Sequence, residues 1–220
     1  MERTRFYVDI PELAHIAISI IAICLSLAFA FAGLDIKPGQ FAYLMAVFGI
    51  TVGSGFVLHE LAHKYFATKF GAYARYEAWA AGLVLMLALA IVPQLVGFRL
   101  PIFLAPGAVM IYARKNISDK ENGIISVAGP ITNLLIAFAF MAAGFVLFGG
   151  IFFSDVPAKG FVSDFVSTVV LLGARVNFSL AMFNLLPIPP LDGSKVIKWD
   201  WRIWALIFVV AWIGSGLMAF

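Results

Sequence analysis

Charged side chains are scarce in this sequence. Asp, Glu, Lys and Arg together make up 12% of its 220 residues, where a soluble domain carries about 25%. Hydrophobic residues reach 63% and the mean hydropathy is +1.00. These values exclude a soluble globular domain, a disordered chain and a fibrous repeat. Cysteine is nearly absent. Cys24 stands alone and can build neither a disulfide framework nor a cysteine zinc cluster. No internal repeat, low-complexity segment or polar stretch long enough for a separate soluble domain lies between the apolar runs. The net charge of +3 makes no case for a nucleic-acid partner, because in so apolar a chain the basic residues report topology first.

What is present is a series of long apolar runs. A membrane-spanning helix takes about 20 mostly apolar residues, and 12–33, 41–67, 123–149, 161–186 and 201–220 qualify. The run 80–98 is interrupted by Pro93, and 100–113 is short and broken by Pro101, Pro106 and Gly107. The expected architecture is an all-α polytopic membrane protein with about six transmembrane helices and a re-entrant hairpin or extra short segment at 80–113. Residues 1–33 imitate a signal peptide, with Arg3 and Arg5 ahead of the apolar run and Ala28-Phe29-Ala30 resembling a cleavage site. The run is longer than the ~7–15 residues of a signal core, so it reads as a retained first helix.

Ionisable groups within a bilayer are costly and usually functional. Of the three histidines, His15, His59 and His63, two fall in His59-Glu60-Leu61-Ala62-His63. On a helix, positions i and i+4 share a face, so both imidazoles can bind one zinc ion with Glu60 beside it as a general base. With three His and five Glu in the chain, chance supplies this pattern about 0.001 times. A pair of structural histidines beside a buried, unpaired Glu would cost several kcal/mol without return.

Two histidines leave a catalytic zinc short of a protein ligand. Most acids, Glu12 among them, lie near loops or termini without a motif. Asp192 differs, because it follows Asn184-Leu-Leu-Pro187-Ile-Pro189-Pro190-Leu. Three prolines in four positions cannot continue a helix. Irregular backbone at membrane depth is tolerated only where it is buried in protein or lines a cavity. That setting suits a carboxylate aimed at a metal, and it also suits an ordinary proline-rich loop ending in an Asp-Gly turn.

Together the motifs resemble the site-2 protease family of intramembrane zinc metalloproteases. The family pattern is H-E-x-x-H, then G-P-x-x-N, then N-x-x-P-x-x-x-x-D-G. Here these are His59 to His63, Gly129-Pro130-Ile131-Thr132-Asn133, and Asn184 to Gly193. The resemblance implies one zinc per chain on His59, His63 and Asp192, with Glu60 catalytic. It gives Asn184 a role in holding substrate or the developing oxyanion, against the alternative of a cap or packing hydrogen bond. Gly129, Pro130 and Asn133 would shape a helix kink and its packing. Gly49 and Gly53 form a G-x-x-x-G pair suited to close helix contact. The implied unit is a single integral-membrane protease domain over 1–220, with its motif core at about 45–195 and no PDZ or other soluble domain. The implied partners are the lipid bilayer and a protein substrate with a transmembrane helix. The oligomeric state is not set.

A membrane metal-binding protein or metal transporter is the alternative, although it has little use for Glu60 between paired histidines. Proteases of the prenyl-protein type draw their third ligand from an N-E-x-x-x-D helix, and this sequence has none.

One zinc ion can hold His59, His63 and Asp192 only if all three lie at similar depth. A single crossing by 80–98 would put Asp192 a bilayer away, so 80–113 must return to the side it left. The charges agree. With the N-terminus inside, Arg3, Arg5, Lys64, Lys69, Arg75, Arg114, Lys115, Lys120, Lys195, Lys198 and Arg202 fall on the inner side, and only Lys37 and Lys159 outside. Arg99 then lies in the hairpin and Arg175 within a span, where a structural role fits best. The positive-inside rule favours this arrangement. It describes a multi-pass protein of the cell membrane with a cytosolic N-terminus and its site nearer the cytosolic face.

Overall fold

The computed structural model describes residues 6–97, 106–113, 116–149 and 161–217, without the side chains of 161–163. The path of 98–105 and the cations Arg3, Arg5, Arg99, Arg114, Lys115 and Lys159 lie outside the described residues. In chain order the helices are α1 (Ile10–Ala32), α2 (Pro38–Phe48), α3 (Ser54–Lys69), α4 (Ala80–Val96), α5 (Asp119–Phe148), α6 (Phe161–Asn184), α7 (Asp192–Trp199) and α8 (Trp201–Leu217). A π-helical turn, Gly49–Gly53, joins α2 to α3, so Pro38–Lys69 is one long rod.

Among the described residues, four helices are long and apolar enough to cross a membrane: Ile10–Ala32, Pro38–Lys69, Asp119–Phe148 and Asp164–Asn184. The expectation of about six spans is met by length for these four. Ala80–Val96 and Trp201–Leu217 are apolar but shorter.

The protein is mostly helical, but it also contains two strands that the all-α expectation missed. β1 (Tyr73–Ala78) and β2 (Gly107–Tyr112) pair antiparallel, from Tyr73 opposite Tyr112 to Ala78 opposite Gly107. The Trp79 N–H closes the pair on the Pro106 carbonyl at 2.8 Å. Tyr, Val, Ile and Met suit a pleated, half-buried surface, and in β1 Ala74 and Tyr76 face inward. The segment between the strands therefore comes back to where it left, as a shared metal requires.

Neither internal proline ends its helix. α4 runs through Pro93 to Val96, and α5 runs through Pro130 to Phe148. α5 is the central element, packed on α3, α6 and α7. α6 packs in turn on α8 and on the π-turn, while α1 lies against α4 and β1. The G-x-x-x-G reading holds only in part. A β-carbon on Gly53 would come within 3.2 Å of Ile20, but one on Gly49 would meet nothing.

α1 is fastened to β1 by polar groups. Asp9 caps the helix by accepting the Glu12 N–H at 2.8 Å, with Pro11 in the first turn. Glu12 is fully buried; it accepts the Tyr76 N–H at 2.9 Å and pairs with Lys64. Lys64, counted from sequence among the cations that set topology, is instead buried in this ion pair and faces the rings of Phe6 and Tyr7. Removing one partner strands a buried charge, which costs about 3–5 kcal/mol. Lys64→Met is therefore expected to destabilise the protein by that amount. The Glu12→Gln/Lys64→Met double variant should recover much of it. Thermal unfolding in detergent measures both.

Candidate metal centre

α3 brings the first two donors. His59 and His63 are one turn apart on it, and both are buried. The third donor arrives from a distant part of the chain. α6 ends at Asn184, the proline-rich turn follows, and Asp192 opens α7. Gly193 makes this approach possible, because a β-carbon there would collide with the backbone of Leu185 and Leu186. A carboxylate in the first turn of a helix also faces the positive end of its dipole.

The ring atoms meet closely. His59 Nε2 and His63 Nε2 are 2.9 Å apart, and Asp192 Oδ2 lies 3.3 Å from the first and 3.1 Å from the second. These donor atoms form a group that could hold a metal ion. Asp192 Oδ1 points away, with Lys195 Nζ at 3.8 Å.

The far sides of both rings decide which nitrogen is free. His63 Nδ1 donates to the Ile125 carbonyl at 2.7 Å, and His59 Nδ1 donates to Asn133 Oδ1 at 2.6 Å. In a neutral ring, an acceptor on Nδ1 leaves Nε2 as a bare lone pair. With both rings neutral, two lone pairs and a carboxylate oxygen face one another, an arrangement that suits a cation. A tetrahedral zinc with bonds of about 2.0–2.1 Å sets neighbouring donors about 3.3 Å apart. The observed spacings of 2.9, 3.1 and 3.3 Å fit that ion. Gly129 of α5 keeps the space open, because a β-carbon there would stand 2.5 Å from Nε2 of each histidine.

Glu60, half-buried between the two histidines in sequence, stays outside the donor triangle. Its carboxylate lies on the side of the Val109 N–H of β2. Asn184 is not brought into the cluster among the described contacts. Its Nδ2 donates back to the Leu180 carbonyl at 3.0 Å. Arg175 lies on the exposed side of α6. The sequence reading gave Asn133 and Gly129 only a helix-shaping role. The structure sets both directly against the histidines, and the signal for this was their four-residue spacing from one another, about one helical turn, which puts them on one face of the helix.

A helical membrane protein with a buried His-His-Asp donor set facing an open space belongs to the class of membrane metalloproteins. Residues 46–207 match Peptidase family M50. The chain is 36% identical over 201 residues to "Putative zinc metalloprotease MJ0611" of Methanocaldococcus jannaschii, covering 89% of this chain and 88% of that one. It is 30% identical over 161 residues to "Putative zinc metalloprotease YwhC" of Bacillus subtilis, covering 70% and 69%. No solved structure gives a significant match. The chain belongs to Peptidase family M50, the site-2 protease family. It is a membrane-embedded, zinc-dependent protease.

Proposed function

We propose that this protein is an intramembrane endopeptidase that hydrolyses a peptide bond in or near the transmembrane helix of another protein. The observation that carries this reading is the convergence of His59, His63 and Asp192 beside Glu60 in a protein of long apolar helices. His59, His63 and Asp192 would hold one zinc ion. Zinc supplies a lowered water pKa and polarisation of the scissile carbonyl. Glu60 takes the proton from the attacking water on its carboxylate and later delivers it to the leaving amine nitrogen. Asn184 stands ready to steady the substrate or oxyanion if its amide turns away from Leu180.

The sheet gives the substrate a place to lie. Tyr76 and Val109 are opposite each other, and Tyr76 turns its N–H outward to Glu12. Val109 turns its own N–H outward on the other edge, toward Glu60. α1 thus covers the outer edge of β1, and among the described residues no strand pairs with the outer edge of β2. A substrate segment unwound into an extended form fits along β2, its backbone passing Glu60. In the membrane, the N-terminus is cytosolic and the site lies nearer the cytosolic face, with 1–220 forming one membrane-embedded protease unit.

The test is metal analysis joined to cleavage. The detergent-purified chain is expected to contain one zinc per molecule. It should cut a membrane-spanning substrate, lose that activity to a chelator and regain it with zinc. No zinc after supplementation would end the enzyme reading. One zinc without cleavage of any membrane substrate would favour a metal-binding or transport role.

A further inference from the structure

Asn177 lies outside the three motifs, yet it is fully buried and fully engaged in the middle of α6. Its Nδ2 donates to the carbonyls of Gly173 at 2.9 Å and Thr51 at 3.4 Å. Carbonyl oxygens only accept, so these two partners fix which end of the amide carries nitrogen. Its Oδ1 therefore faces Asn133 Nδ2, which donates to it at 2.9 Å. Asn133 Nδ2 gives its other hydrogen to the Gly55 carbonyl at 3.1 Å. With both hydrogens committed, Asn133 can offer His59 only its oxygen, and His59 Nδ1 must carry the proton.

Two further features belong to the same chain of contacts. Thr51 sits in the π-turn that precedes the two histidines, where the regular ladder of backbone bonds is interrupted. Asn177 takes up a carbonyl of that turn. At Gly55 a β-carbon would collide with Asn177 Oδ1, so the contact exists because residue 55 has no side chain.

We infer that Asn177 is a positioning residue for the metal centre: together with the Gly55 carbonyl it holds the Asn133 amide with its oxygen toward His59, which favours the Nδ1–H form of His59 and leaves Nε2 free as a donor atom. The inference rests on the reading of His59 as a zinc ligand. His63 provides an internal control, because its Nδ1 partner is the Ile125 backbone carbonyl and owes nothing to Asn177.

The chain has three histidines, which makes ¹⁵N-histidine NMR of the detergent-solubilised protein tractable. Spectra are taken with zinc and after its removal by a chelator. In the metal-free parent, His59 and His63 should both be Nδ1–H. In Asn177→Leu, His59 should become a mixture of the two tautomers while His63 stays unchanged. Zinc affinity should fall about 10–100-fold, the usual effect of losing an outer partner of a ligand. Asn133→Leu should do the same, and the double variant should be no worse than Asn133→Leu alone, as expected of residues acting in series. A wholly Nδ1–H His59 in folded Asn177→Leu would overturn the inference, and so would additive effects in the double variant. Should the leucine variant fail to fold, Asn177→Ser is measured in its place with the same outcomes. A parent with the expected tautomers but no zinc binding would overturn the ligand reading underneath, which the metal-free spectra distinguish.

Discussion

Glu60→Gln is expected to lower peptide cleavage by about 10²–10⁴-fold, the span that positioned proton transfer supplies, while zinc stays bound. The argument is one of position. Glu60 lies next to His59 on α3, yet its carboxylate is not one of the three atoms that converge on the metal site. Gln is nearly isosteric, so the local packing beside β2 survives. What it loses is basicity. Turnover of a membrane-spanning substrate and zinc content, measured on the same preparation, separate the possibilities. Full turnover in the variant would remove Glu60 as the base. Loss of zinc would instead place it among the ligands. A transporter on this fold would tolerate the change.

Much of this site was legible because its chemistry is costly in hydrocarbon. His59, Glu60 and His63 stand out because a membrane helix has little other use for them. Asp192 stands out because three prolines before it exclude a helix. The shared depth of these groups then forced 80–113 to return, and the pairing of β1 with β2 shows the return. Other features were hidden for physical reasons. The strands are only six residues each, and their hydrophobic content merges into the apolar background of a membrane protein, so alternation is hard to see. Glu12 looked like a terminal acid and Lys64 like a topology marker. Each is buried only because the other is there, and pairing across 52 residues leaves no local trace. Asn133 and Asn177 carry no charge to attract notice. Their importance lies in which way an amide faces, and only three-dimensional partners determine that.

Asp192→Ala should remove zinc almost completely. Loss of an outer partner weakens a metal site about 10–100-fold, so loss of one of three protein ligands, and the charged one, should cost on the order of 10³-fold or more. The fold should tolerate the change. Asp192 is the first residue of α7, and removing its charge from the helix N-terminus costs about 0.3–1 kcal/mol. The backbone turn that delivers it depends on Gly193 and the prolines, which remain. Zinc should therefore raise the unfolding temperature of the parent, because it binds only the folded state, and should leave that of Asp192→Ala unmoved. Zinc content by elemental analysis and thermal unfolding with and without zinc measure the two effects. Full zinc retention by the folded variant would show that α7 does not contribute to the metal, and His59 and His63 would then need their third partner from elsewhere.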